Sequence, residues 1–322
     1  MTDTQWEVLS NQAITVAGVV YFLALLSHLV AWAGLRQVPH TEEVTTGRTA
    51  LFDRLGLVLT ALGGLVHLVG LVGRGMAADP NRVPWGNMYE FSISGAWFVV
   101  VIYLVTYKRF KLSWLAPWVV GVVLSVLMLA VIWLHKPVAP LTEALDSPWL
   151  VIHVVSAVIA TAAFTLGGIL VVLHLVKERA EKKDAEVGRE RTTGYLARVP
   201  STKVLDRISY RMHAFGFPVW TFAVLISGPI WAHEAWSRYW NWDPKEVWAF
   251  ITWVIYAAYL HARTTAGLRG RVASVLALVG LATLWWSFVG VNFFSTTSQH
   301  SYAEGAAVVQ VVPVESSSGA SS

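Results

Sequence analysis

Apolar runs of roughly 17–25 residues, the length a helix needs to cross the hydrocarbon of a bilayer, recur along this chain. They fall near residues 15–35, 55–73, 91–107, 112–134, 149–176, 214–232, 247–262 and 272–294. In lipid every backbone N–H and C=O has to be satisfied within the spanning structure, so runs of this length read as helices. The expectation is an all-α, polytopic membrane protein of about eight transmembrane helices. Only 14% of the residues are charged and the mean hydropathy is +0.54, which rules out a soluble domain with one core. The fifth run is the longest and tilts or protrudes past the hydrocarbon.

Orientation follows from where the basic residues lie. Of the 24 Lys and Arg residues, 19 fall in the connections after runs one, three, five and seven, and five in the remaining segments. Basic loops stay cytoplasmic, so both termini and the connection between runs six and seven are expected outside the cell membrane. A pI near 9.3 thus reports orientation and lipid contact, with no nucleic acid implied. Residues 1–15 carry no Lys or Arg, unlike the start of a signal peptide. The chain has no cysteine, which excludes disulfides, thiolate metal sites and thiol catalysis. Residues 1–312 read as one membrane domain with a long cytoplasmic connection at 177–212, expected to be a solvated helical extension plus a linker. Residues 313–322 read as a disordered tail.

Between runs six and seven, residues 231–248 hold Trp231, Trp236, Trp240, Trp242 and Trp248 together with Tyr239, His233 and three acids. An interfacial aromatic belt collects tryptophans at the headgroup level, but this density beside charges suits a shelf for a large planar ring. Asp243-Pro-Lys-Glu246 reads as the start of the seventh helix, with Asp243 as cap, Pro at the first position and Glu at the third. Ser147-Pro148 starts the fifth in the same way. The connection 74–90 is broken by Pro80, Pro84 and Gly86, and directs Asn87, Tyr89 and Glu90 toward the end that carries the tryptophans.

Ten histidines are the available metal ligands. His40 and His135 are expected at loops and boundaries, and His174 and His213 at the inner interface as snorkelling or capping residues. His28 and His67 fall within runs one and two, where a bond to a carbonyl is the default. His153, early in run five, and His300, just beyond run eight, flank the tryptophan loop, and an iron porphyrin takes one or two such axial ligands. His261 lies at the far end of run seven, where an ionisable group is a functional candidate.

Trp231…Trp236…Trp240-Asn-Trp242-Asp243-Pro-Lys-Glu, followed by Trp253…Tyr259-Leu-His261-Ala-Arg263, resembles the signature of the WWD haem-handling family of cytochrome c assembly proteins, in its System II CcsA/ResC branch. The resemblance extends to Pro84…Asn87-Met-Tyr-Glu90, to Leu205-Asp-Arg-Ile-Ser-Tyr-Arg211…Gly216-Phe-Pro218 and to Val291-Asn292…His300-Ser-Tyr302. It implies haem b, as bound substrate, held on Trp231, Trp236, Trp240, Trp242 and Asp243 between His153 and His300. It also implies a second, intramembrane position at His261 whose other ligand comes from a ResB-like partner. Haem is then joined to the Cys-x-x-Cys-His thiols of apocytochrome c, kept reduced by a thioredoxin-like protein, in a cytochrome c synthase (haem lyase) complex. His233 stands where this branch is expected to have Asn, and the first run matches less distinctly.

Two other readings use overlapping residues. Haem export without attachment needs nearly the same site. A b-type electron-transfer cytochrome pairs histidines about 13–14 residues apart on shared helices, roughly 20 Å, whereas His153 and His174, sharing run five, are 21 residues apart. That rival also gives the tryptophan loop no task.

Overall fold

In the computed structural model, residues 1–39, 46–139, 147–295 and 298 are described. Among them the secondary structure is helical without strands. α1 (Asp3–Leu35) begins well before the apolar run, because Thr2 and Gln5 form a reciprocal capping box that starts a helix in the polar segment. α2 (Gly47–Met76), α3 (Met88–Phe110) and α4 (Ala116–Leu129) follow, the last closing in a π turn at Ala130–Leu134. α5 (Pro148–Glu186) starts on the expected Ser147 cap, whose hydroxyl accepts from Trp149 N–H at 3.1 Å. A short α6 (Tyr195–Arg198) leads to α7 (Thr202–Phe222), which passes through a π turn at Ala223–Ser227 into α8 (Gly228–Trp236). α9 (Pro244–Thr265) and α10 (Arg271–Trp285) form the last hairpin, and a third π turn at Trp286–Gly290 leads to α11 (Val291–Phe294).

Seven of these helices or helix chains are long and apolar enough to cross a membrane. α9, the seventh apolar run, is 22 residues long but less hydropathic, since it carries Trp248, Trp253, Tyr256 and Tyr259 among its apolar residues. The chain is an all-α polytopic membrane protein of about eight spans.

The helices pack as two lobes sharing α5. In the first lobe α1 lies along α2; a methyl on Gly73 would stand 3.2 Å from the Trp6 carbonyl and the Ser10 N–H, so glycine lets the two backbones approach without either helix shifting. Tyr21, Ile93, Val100, Tyr103, Val119 and Leu127 fill its core, joined by Leu166 and Leu170 of α5. In the second lobe Phe164 of α5 stacks on Tyr256 of α9 at 3.9 Å, with Tyr259, Ala277 and Leu284 around them.

The segment after α5 departs from a plain linker. α5 continues as the expected helical extension to Glu186, where Asp184 accepts from Arg189 and Arg191. Those guanidiniums, Arg191 first, hold its carboxyl below the usual carboxylate range. Beyond it, Tyr195 packs on Trp32 at 4.1 Å and accepts from Trp118 Nε1 at 2.9 Å, and Arg198 donates to the Val38 and Pro39 carbonyls. α7 begins at Thr202, twelve residues before the apolar run. Its first half is amphipathic, with Leu205, Ile208 and Met212 buried. His213 is therefore a fully buried core residue, stacked on Phe164 and donating to the Ser209 carbonyl at 2.8 Å. The expected snorkelling role at the interface does not hold for it.

At the tryptophan end a buried ionic knot fixes the connection between α2 and α3. Glu90, with no exposed surface, accepts from Arg74 Nε at 2.9 Å, Arg82 Nη1 at 2.7 Å and the Gly86 N–H at 2.6 Å. Asn87 caps α3 by accepting from Glu90 N–H at 3.0 Å. Arg74 also donates to the Lys136 carbonyl at 2.5 Å and lies 3.6 Å from Glu7, tying α1, α2, α3 and the end of α4 together. The knot holds Trp85 against Leu150, Val154 and Trp231, directly under the tryptophan loop.

Candidate functional site

His153 is set by three local features. It lies on α5 one and a half turns past the Ser147 cap, and Ser147 donates to Glu234 of α8, pinning the two helix ends together. In the π turn the Ala223 carbonyl accepts from the Gly228 N–H five residues on and from the Ser227 hydroxyl at 3.3 Å, and His153 Nδ1 lies 2.9 Å from the same oxygen. Gly228 makes room: a methyl there would stand 2.8 Å from Ala223 O and 3.1 Å from His153 Cε1. An Nδ1–H donated to a carbonyl selects the tautomer whose lone pair is on Nε2, the form that ligates a metal. Pro229, which lacks an N–H, is the sequence signal for the π turn; it sits within the sixth run, where a plain helix was expected.

The tryptophans divide into two groups. Trp231 is buried and stacks on His153, with ring centroids 5.8 Å apart and planes 13° from parallel, while Trp236 meets Trp231 edge-on at 4.9 Å. Trp240 and Trp242 form a perpendicular pair at 5.8 Å, and Trp240 also meets Phe250 edge-on. A single flat shelf of four rings is not what the loop builds; it makes a wall behind His153 and a corner beside it. Trp242 is 76% exposed and holds a left-handed φ of +58°, a strained conformation for a bulky residue. Glu246 maintains it by accepting the Asn241 N–H at 2.9 Å and the Asp243 N–H at 3.1 Å.

Asp243 is buried and performs the expected capping role, accepting the Lys245 N–H at 2.9 Å within a full capping box. Its carboxylate also accepts from the Ser298 hydroxyl at 2.8 Å, which brings the chain beyond α11 back onto the tryptophan loop. His300, two residues further, lies outside the described residues, as does His40.

A cavity of about 220 Å³ opens beside His153, between the two lobes. Trp231, Trp240, Lys245 and Glu246 line its end nearest the loop, and α5 forms its floor from Leu150 to Thr165, about 22 Å of helix rise. His153, Trp231 and Trp240 thus face one space.

His261 stands apart. It is exposed on the outer face of α9, its Nδ1 3.5 Å from Thr265 Oγ1, and about 22 Å of helix rise from Glu246. Arg263 turns the opposite way, into the bundle, where it pairs with Asp206 at 2.6 and 3.0 Å and lies over Tyr210. Anchoring of the helix end therefore belongs to Arg263, leaving His261 turned outward. The other histidines have structural partners: His28 with Thr60 at 3.3 Å, His67 with Tyr21 at 3.4 Å, His135 with Asn11 at 3.2 Å and His174 with the Thr202 carbonyl at 3.0 Å. His233 stacks on Tyr239 at 4.3 Å, on the exposed side of the loop.

Comparison with known proteins places this arrangement. A family model described as "Cytochrome C assembly protein" matches residues 85–298. The "Cytochrome c biogenesis protein CcsA" of Gloeobacter violaceus is 31% identical over 90% of this chain and 93% of its own length. The protein of the same name from Guillardia theta is 33% identical over 88% and 94%. Among solved structures, a chain titled "Cytochrome c Heme Lyase CcmF" superposes with a TM-score of 0.60 at 15% identity, a likeness of fold. It covers 89% of this chain, which spans about half of that one (47%). The residues it matches and the relatives it resembles along most of its length show that this chain belongs to the cytochrome c assembly protein family.

Proposed function

We propose that this protein presents haem b, as substrate, at the tryptophan end of the membrane domain for attachment to apocytochrome c. The observation that carries the reading is the setting of His153, whose Nδ1 is committed to the Ala223 carbonyl beneath Trp231 at the rim of an apolar cavity. That setting fits an axial ligand, fixed in tautomer and angle before haem arrives. His300 is the second ligand in this reading, supported by the Ser298–Asp243 bond two residues before it. Haem brings the iron and the vinyl groups. The chain's part is to orient the ring and exclude water, an effect of position. Each apocytochrome thiol then adds across a vinyl double bond, sulfur to one carbon and proton to the other, with no net oxidation.

The basic-residue bias supports a plasma-membrane orientation with the tryptophan loop and both termini outside, where a thioredoxin-like reductant serves the apocytochrome thiols. His261, exposed on α9 and remote from His153, is assigned to a second haem whose other ligand comes from a ResB-like partner, the two chains forming a synthase. Co-expression with that partner and a Cys-x-x-Cys-His reporter tests the reading. His153→Gly should accumulate in the membrane yet lose covalent haem on the reporter, with partial return on added imidazole. Wild-type reporter maturation in His153→Gly would refute the assignment, and haem bound without any attachment in the wild type would favour carriage alone.

A further inference from the structure

An axial ligand holds haem iron along one line, and a second ligand opposite it lies on the same line. A ring held at His153 is therefore still free to turn about its iron–nitrogen axis. Aromatic walls such as Trp231 and Trp240 limit its tilt, yet a flat ring can rotate in its own plane against them. Attachment needs each vinyl group at a particular thiol, so the rotation has to be fixed by a contact away from the axis. The porphyrin edge offers one strong handle for that contact: two propionate carboxylates, on the half of the ring that carries no vinyl group.

Lys245 is placed to take that handle. It lies in the first turn of α9 and lines the same cavity as His153, Trp231 and Trp240. Its backbone is fixed, because its N–H donates to Asp243 Oδ1 at 2.9 Å within the capping box. Burial lowers its ammonium to about 8 and Asp243 opposes the shift, so the group is a cation at neutral pH. The other charges at this end are excluded by sign or by place. Glu246 repels a carboxylate and already accepts the Asn241 and Asp243 N–H groups. Arg74 and Arg82 are committed to Glu90, while Arg238 is exposed and donates to Asn241 at 2.9 Å. Among the described residues, Lys245 is the cation that lines the cavity.

We propose that Lys245 is the positioning residue for haem at the tryptophan end, its ammonium pairing with a propionate carboxylate and so fixing the rotation of the ring about the iron–His153 axis. The proposal rests on the reading of His153 as an axial ligand. A charge-assisted hydrogen bond of this kind is about twice as strong as a neutral one, and its direction turns the vinyl half of the ring away from α9. The site then selects porphyrins with free propionates over those whose carboxylates are blocked.

The test titrates the full-length His261→Ala protein, in which the second haem position does not contribute, in detergent micelles. The ligands are ferric haem and, separately, its dimethyl ester, whose propionates carry no charge, and the Soret band is followed. Each ligand is compared between variants, so its own partition into micelles cancels. Lys245→Met should weaken haem binding about tenfold or more, the loss of one hydrogen bond between charged groups. The ester's affinity should be unchanged in that variant, which also shows that its fold is intact. Lys245→Arg should restore most of the haem affinity. The low-spin spectrum should persist in both Lys245 variants, since the iron stays on His153. An equal loss for the two ligands in Lys245→Met, or no loss for haem, would overturn the proposal. His153→Gly reports on the haem reading separately. An unchanged spectrum there overturns that reading and this proposal with it, whereas a changed spectrum there beside no ligand-selective effect at Lys245 overturns the proposal alone.

Discussion

Glu90→Gln should loosen the tryptophan end more than any single cap or surface change. Glu90 has no exposed surface and its carboxylate answers two guanidiniums, Arg74 at 2.9 Å and Arg82 at 2.7 Å, with Arg74 itself buried. Removing one partner of a buried ion pair leaves an uncompensated charge and costs about 3–5 kcal/mol. Arg82 reaches the surface and can turn to water, so Arg74 carries most of that cost. The Gly86 N–H and Asn87 side chain also lose a charged acceptor. By contrast Arg74→Met combined with Glu90→Leu removes the buried guanidinium together with its partner, a change that is often neutral or stabilising, and the cost that remains is the lost acceptor of Arg82, Asn87 and the Gly86 N–H. A double-mutant cycle read by SDS-induced unfolding in mixed micelles should therefore give a coupling energy of several kcal/mol, with both single variants far below the double. Hydrogen exchange at residues 82–87 should rise in Glu90→Gln. If both single variants fall within about 1 kcal/mol of wild type and their effects add, as for exposed pairs, the knot does not hold this end.

Three further outcomes follow from the site. Gly228→Ala should push the His153 ring from the Ala223 carbonyl, since its methyl would stand 2.8 Å from that oxygen and 3.1 Å from Cε1; reporter maturation should fall about tenfold or more, a loss of about 1.4 kcal/mol in the productive geometry, with protein level kept. Asp243→Asn keeps an acceptor for Lys245 N–H and Ser298 and should retain most reporter maturation, whereas Asp243→Ala loses both bonds, costs about 1 kcal/mol as a cap and should impair maturation measured by haem stain. In the complex with a ResB-like partner, His261→Ala should lower haem content while His28→Ala, whose ring is committed to Thr60, should not; equal content in both variants would remove His261 from the account.

What could be read from the chain divides along physical lines. Apolar runs locate helices by composition, so the existence and order of the spans were legible, and the Ser147 and Asp243 caps to the residue, while helices such as α1 and α7 extend well beyond their apolar runs. α7 begins earlier than its apolar run because Lys203, Arg207 and Arg211 share a helix with buried Leu205, Ile208 and Met212, and a hydropathy window averages the two faces. That is also why His213 moved from the interface to the core. His153 was identifiable as a candidate by position, but its carbonyl partner lies 70 residues away at a π turn, and only Gly228-Pro229 hints at that turn. The density of the tryptophan loop was plain, while its division into a wall and a corner depends on the left-handed Trp242, a conformation no residue there announces. For Glu90 the sequence indicated a polar group at the right end; that it closes a knot with Arg74 and Arg82 is a tertiary fact.

The central claim is that His153 ligates haem iron from beneath Trp231, and magnetic circular dichroism of purified, haem-loaded protein tests it most directly. Wild type is expected to show a low-spin, bis-imidazole signal from the site at the tryptophan end. In His153→Gly that signal should give way to a five-coordinate high-spin form and return on titration with imidazole, with His261→Ala leaving this transition unchanged. A low-spin spectrum in His153→Gly identical to wild type, without added imidazole, would contradict the account.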